Sequence, residues 1–297
     1  MTLPAALERS VLDALAGPRG DAPRISQIEP LGGGWHHPSR LQLADGRRCV
    51  LKWSERPGDV QLEREAEGLE ALRAVGALRV AEVLASGVAG DGTSYLLLEA
   101  VESGPRPQRF FEDFGRGLAL LHRSSSGGRF GYDHDNFLGA APQPNTWCDD
   151  WVDFWRCHRL GFQLDLARRN GLADATLSRL GDRLLDHLGE LIAEPDEPAC
   201  LLHGDLWSGN FLCDAAGRAV LVDPAVYRGR REAELAMTRL FGGFGDGFYR
   251  AYDDVWPLAP GAPRRIEVYQ LYHLLNHLNL FGEGYRGQCL AVLRRLV

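Results

Sequence analysis

The prevailing periodicity of the chain shifts from strand to helix across the Pro/Gly-bearing stretch "ESGPRPQ" from Glu102 to Gln108. Before it, from Arg24 to about Val101, the signals are those of strands. "RISQIEP" runs towards a glycine triplet, and "SRLQLADGRRCVLKWSE" sets two strand-like runs around Asp45-Gly46, a short-range hairpin cue. One stretch has helical period instead: "DVQLEREAEGLEALRAVG" puts Leu62, Ala66, Leu69 and Leu72 on one face and stops at Gly76. "RVAEVLASG" and "TSYLLLEAV" return to strand. Ahead of all this, Leu3, Leu7, Val11, Leu12 and Leu15 mark a first amphipathic helix. Beyond the connector the period is largely helical, in "FFEDFGRGLALLHRS", "TWCDDWVDFWRCHRLGFQLDLARRNG", "ADATLSRLGDRLLDHLGELIA" and "YQLYHLLNHLNLFG". The expectation is an α+β chain in two lobes. Residues 1–101 form a small β-rich lobe with one key helix, and residues 102–297 a larger helical lobe, with ligands favouring the cleft between.

Composition narrows the partners. A net charge of −7 with no Lys/Arg block speaks against nucleic acid. Apolar runs such as "YLLLEAV" are too short to span a bilayer, and the N-terminus lacks a signal-peptide pattern, so no membrane partner is expected. The six cysteines are scattered without CxxC or zinc-finger spacing, which reads as reduced thiols in a cytoplasmic protein.

The chemistry concentrates in "LLHGDLWSGNFLCDAAGRAVLVDPAVY", Leu201 to Tyr227. Carboxylates beside apolar strands are costly unless paired or bound to a cation. His-x-Asp, an Asn five residues after the Asp, and a second Asp beyond a hairpin is the order of a kinase catalytic loop. In that chemistry Asp205 accepts the proton of the attacking hydroxyl, Asn210 and Asp223 hold Mg²⁺, and His203 braces the loop. The same Asp and Asn also suit plain turns. Upstream, "LGGGW" (Gly32, Gly33, Gly34) lies between strand-like runs, where backbone amides can approach phosphates closely. Lys52 in "CVLKW" is the only lysine of the chain. A lone lysine in an apolar strand needs a partner, and Glu65 is the best placed, with Glu63 and Glu67 competing.

"HGDLWSGN", "VDPAVYRGRREAELAMTRLFGGF", "YRAYDDVWPLAPG" and "YQLYHLLNHLNLFGEGYRG" together resemble the fructosamine/ketosamine-3-kinase family, within the aminoglycoside-phosphotransferase-like kinases. The resemblance runs from Leu31 to Gly287. It implies a protein-kinase-like bilobal fold and ATP-dependent, Mg²⁺-assisted phosphorylation of the C3 hydroxyl of ketoamines, free or protein-bound, which then fall apart and release the amine. It assigns the base to Asp205, the metal to Asn210 and Asp223, and phosphate binding to Lys52 with Glu65. It gives adenine binding to backbone groups of Glu99 and Val101. Trp207 would offer an apolar face to the sugar, and the helix bearing Trp147, Trp151, Phe154, Trp155 and Arg159 would wall the acceptor pocket; a tryptophan stripe at helical spacing also suits a plain core. The acids Asp149, Asp150 and Asp153 suit either a cationic amine or a solvated face. Relatives with a cysteine in the glycine loop have a redox handle; this loop, "GGGWHHPSR", has none, and His36 and His37 read as exposed loop residues. "DPA" replaces Asp-Phe-Gly after the metal Asp, so activation-loop control is not expected. A kinase for an aminoglycoside, choline or sugar, and a nucleotide-binding pseudokinase, stand as alternatives. Monomer and homodimer both remain open.

Overall fold

The computed structural model describes residues 2–16, 23–32, 36–56 and 58–297. Its contacts divide the chain into two units, Met1–Arg106 with Leu212–Asp223, and Pro107–Phe211 with Pro224–Val297. The hairpin segment Leu212–Asp223, which the sequence reading kept with the helical part, clusters with the strands instead.

The first unit holds α1 (Ala5–Leu15), β1 (Ile25–Pro30), β2 (Ser39–Leu43), β3 (Arg48–Ser54), α2 (Gln61–Val75), β4 (Arg79–Val80), β5 (Val83–Val88) and β6 (Ser94–Glu99). Five strands form an antiparallel sheet in the order β1-β2-β3-β6-β5. The Asp45-Gly46 cue is a real turn: Gly46 sits at φ 91°, and the Asp45 carboxylate accepts from Arg47 N at 2.9 Å. Strand alternation sends Cys49, Leu51 and Trp53 of β3 into a core with Leu7 and Val11 of α1 and Leu41 of β2. Each such fully buried Leu contributes about 1.5–3 kcal/mol. Lys52, between Leu51 and Trp53, is thereby turned towards α2. That helix buries Leu62, Ala66, Leu69 and Leu72 and ends on a left-handed Gly76, as its sequence predicts.

Strands Phe211–Cys213 and Ala219–Leu221 lie in one sheet with β4, and Val220 and Leu221 pair in parallel with Arg79 and Val80. Asp214, in the turn of this hairpin, accepts from Arg79 Nη1 at 2.8 Å and from the Ala216 and Arg218 amides at 2.9 and 2.8 Å. Burial alone would raise its pKa, but the bonds from Arg218 and Arg79 outweigh it and hold the carboxyl at about 2, against 3.8 ordinarily. A depressed folded-state pKa means the stabilisation is complete above about pH 4 and lost as pH falls through about 2; it amounts to about 2 kcal/mol. Denaturant unfolding of wild type and Asp214→Asn between pH 2 and 7 should therefore show a stability gap that closes towards acid. A gap independent of pH would contradict this.

The second unit is mainly helical: α3 (Phe110–Ser124), α4 (Trp151–Trp155), α5 (Gly161–Arg169), α6 (Ala175–Asp186), α7 (Leu188–Ile192), α8 (Arg231–Leu240), α9 (Asp246–Val255), α10 (Ala262–Phe281) and α11 (Arg286–Leu296), with two short strand pairs, Asn136–Leu138 with Ala141–Gln143 and Cys200–Leu202 with Tyr227–Gly229. Helix α3 occupies the expected run. The expected second helix starts only at Trp151, where the Asp150 carboxylate caps it by accepting from Asp153 N at 2.7 Å, and is broken by a π-helical turn at Arg156–Leu160. The expected third divides at His187 into α6 and α7. Leu164, Leu188, Tyr269 and Leu275 are among the residues of one apolar core shared by these helices. Helix α8 carries buried charges that are paired: Arg231 with Glu197, and Glu232 with Arg265. Among the described residues, no helix is long and apolar enough to cross a membrane.

Candidate active site

In the first unit, Lys52 Nζ donates to Glu65 Oε1 and to Asp223 Oδ1, both at 2.7 Å. Of the three competing acids, Glu65 therefore holds the lysine, while Glu67 pairs with Arg64 at 2.7 Å. Burial would lower the Lys52 pKa, yet the flanking carboxylates of Glu65 and Asp223 outweigh it and raise the value above its usual range. Asp223 adopts φ 55°, a left-handed conformation that costs a non-glycine residue energy and is found at functional positions. Glu99 ends β6; its amide donates to the Glu82 carbonyl at 2.9 Å and its carboxylate accepts from Arg79 at 2.5 Å. Of the Glu99 backbone groups, then, only the carbonyl could meet a base. Val101 follows two residues beyond β6, outside any helix or strand and half-buried. Gly32 is exposed, whereas Gly33 and Gly34 lie outside the described residues.

In the second unit, strand Cys200–Leu202 delivers the chain into the loop His203–Asn210. His203 is buried and braces this loop as expected, its Nδ1 accepting from Asp205 N at 3.3 Å. Asn210 Nδ2 donates to the Asp205 carbonyl at 2.8 Å and to its carboxylate Oδ2 at 3.0 Å. The acid is thus held in place by the amide five residues on. Trp207 is 39% exposed, with its indole over Gly209, where a Cβ would come within 2.4 Å of the ring.

Sequence reasoning missed two groups beneath this loop. The Glu234 carboxylate of α8 is fully buried and accepts from the His203 and Gly204 amides at 2.5 and 3.2 Å. His122 of α3 lies 3.8 Å from Glu234 and bonds Tyr252 Oη at 2.8 Å; burial lowers its pKa against the pull of Glu234. The motif "REAELAM" gave no warning, because acids at helical spacing read equally well as a solvated face.

Other expectations give way. Trp151 and Trp155 are each 1% exposed, packed against Tyr269 with Trp151 Nε1 donating to its hydroxyl at 2.9 Å. They are core, with no face left for a substrate. Arg159 is likewise fully buried. Asp149 and Asp153 pair with Arg129 and Arg156 at 2.5 and 2.6 Å on an exposed surface. His36, read as exposed, has only 11% of its side chain accessible and lies 3.3 Å from Asp59; burial lowers its pKa. His37 is exposed, its ring 4.8 Å from that of Trp53.

A family model for fructosamine kinase matches residues 8–297. The chain belongs to the fructosamine kinase family. It is 37% identical over 276 residues to the chloroplastic protein-ribulosamine 3-kinase of Oryza sativa subsp. japonica, covering 92% of this chain and 80% of that one. A "Probable ketoamine kinase" of Synechocystis sp. is 36% identical over 289 residues, covering 97% and 96%. The crystal structure of a candidate fructosamine-3-kinase from Haemophilus somnus 129PT superimposes with a TM-score of 0.85 at 27% identity, covering 97% and 96%. The aminoglycoside phosphotransferase APH(4)-Ia matches with a TM-score of 0.64 at 18% identity, covering 97% and 98%, a likeness of fold alone. This fructosamine kinase family member is a kinase with a mixed α+β, aminoglycoside-phosphotransferase-like fold, its five-stranded sheet in the first unit and most of its helices in the second.

Proposed function

We propose that the protein transfers the γ-phosphoryl group of ATP to the C3 hydroxyl of a ketoamine, free or protein-bound, and so promotes loss of the sugar from the amine. The observation that carries this reading is the Asp205–Asn210 pair within a chain matched to the family from residue 8 to 297. Asp205 would accept the hydroxyl proton, with Asn210 Nδ2 bonding its carboxylate at 3.0 Å. Lys52, aligned by Glu65, would hold the phosphates as a point charge, with Gly32, Gly33 and Gly34 lending backbone amides. The Glu99 carbonyl and Val101 would meet the adenine. Trp207 would lay its exposed face against the sugar's C–H groups. Trp151 and Trp155 have no part in this scheme.

Asn210 and Asp223 offer oxygen donors, the type Mg²⁺ takes. No group of three or more His, Cys, Asp or Glu side chains suited to a metal occurs among the described residues, so such an ion would draw further ligands from phosphate and water. When bound, it would neutralise the charge that builds on the transferred group. A reducing, cytoplasmic setting is supported by six free cysteines.

The test is a phosphoryl-transfer screen with ATP and Mg²⁺ over ribulosamines and fructosamines of differing amine size, beside choline, an aminoglycoside and free pentoses. Ketoamine turnover above all others is expected. Transfer to another class alone, or ATP binding with no transfer, would overturn the substrate assignment.

A further inference from the structure

Arg159 is a buried cation that no carboxylate neutralises among the described residues. Its guanidinium lies over the rings of Tyr227 at 4.1 Å, Phe154 at 4.5 Å and Tyr272 at 5.6 Å. Nη1 donates to the Pro144 and His158 carbonyls at 2.5 and 2.9 Å, Nη2 to Asn145 Oδ1 at 2.7 Å, and the buried Nε finds no partner. Burying a charge this way is costly, and the aromatic faces offset only part of it. The π turn Arg156–Leu160, closed by Gly161 N–H to the Arg156 carbonyl, adds a residue to the helix and rotates the side chains around it by about 100°.

The cation reaches the segment after Asp223-Pro224 along two routes. One is direct, through Tyr227. The other runs through Asn145 Nδ2 to Asn136 Oδ1 at 2.9 Å, and from Asn136 Nδ2 to the Val226 carbonyl at 2.7 Å. Ala225, next in line, donates its amide to the His203 carbonyl at 2.8 Å. Its own carbonyl lies so close to Gly204 that a Cβ there would sit 2.0 Å away. Movement of Ala225–Tyr227 therefore transmits to the loop that holds Asp205.

We propose that Arg159 is a positioning residue: from its aromatic cage it fixes Ala225–Tyr227, and through them the His203–Asp205 loop, for phosphoryl transfer. The inference rests on the phosphotransfer reading above for its kinetic part only. The test compares full-length wild type with Arg159→Met and Arg159→Lys, and with Asn145→Leu, which cuts the second route should the Met variant not fold. Amide hydrogen exchange should show residues 203–205 and 225–227 losing protection at least about tenfold in the Met variant, with α2 unchanged. Turnover should fall at least about 30-fold with KM for ATP within about threefold, and Lys should recover part of the loss by restoring the charge. Unchanged protection of both segments in the folded Met or Asn145→Leu variant overturns the inference. So does a loss confined to KM for ATP, or a Lys variant no better than Met. If wild type transfers phosphate to no ketoamine, the substrate reading fails, and the exchange result still decides the positioning role.

Discussion

Asp205→Asn should lower phosphoryl transfer by about 10²- to 10⁴-fold, the range a general base supplies. The substitution preserves shape, so Asn210 Nδ2 keeps an oxygen to bond at the position now 3.0 Å away, and the loop amides held by Glu234 are untouched. What disappears is the basic oxygen that would take the hydroxyl proton. ATP affinity should stay within about threefold, because the reading assigns phosphate and adenine contacts to residues of the first unit. Steady-state turnover together with calorimetric ATP titration separates the two quantities. Full turnover in the variant would remove Asp205 from the mechanism, and loss of ATP binding would show its role to be structural.

The second large effect is expected at Lys52. Lys52→Met leaves Glu65, only 14% exposed, with a carboxylate that has lost its cation and still faces Asp223. Breaking a buried ion pair from one side costs about 3–5 kcal/mol. Asp223 is 44% exposed and can be resolvated, so the cost should fall at the lower end, about 3 kcal/mol. ATP affinity should drop as well. A double variant, Lys52→Met with Glu65→Leu, distinguishes the two consequences. Replacing both partners by apolar groups removes the stranded charge and should restore most of the stability, but ATP should still bind weakly. If ATP affinity returns with stability, Lys52 acts through folding alone; if urea unfolding shows no loss in the single variant, the ion pair carries no stability.

Local signals were readable where one segment contains its own cause. The Asp45-Gly46 turn, the α2 stripe with its Gly76 stop, and the run Phe110–Ser124 all follow from spacing within a few residues. The resemblance already favoured Glu65 over its neighbours, but the spacing alone left Glu63 and Glu67 open, because the phase of α2 against β3 comes only with folding. The π turn at Arg156–Leu160 left no trace in the pattern, since one widened turn shifts the apolar stripe too little to see. The tryptophans of α4 matched both a wall and a core, and the depth of the surrounding helices made them core. Glu234 and His122 were invisible for a shared reason: their partners lie 31 and 130 residues away. Arg159 was legible only as part of a pocket wall, because its Asn145 partner lies 14 residues away.

The placement of Leu212–Asp223 bears on how the chain can be cut. A fragment that stops at Arg106 would contain Lys52 and Glu65 but leave Asp223 behind, along with the strand that lies beside Arg79–Val80. Asp214 would be missing too, leaving Arg79 without one of its two carboxylates. The first unit is therefore not encoded as a continuous block. Separate expression, domain grafting or a split-protein reporter would need Leu212–Asp223 spliced onto the N-terminal piece to recover it.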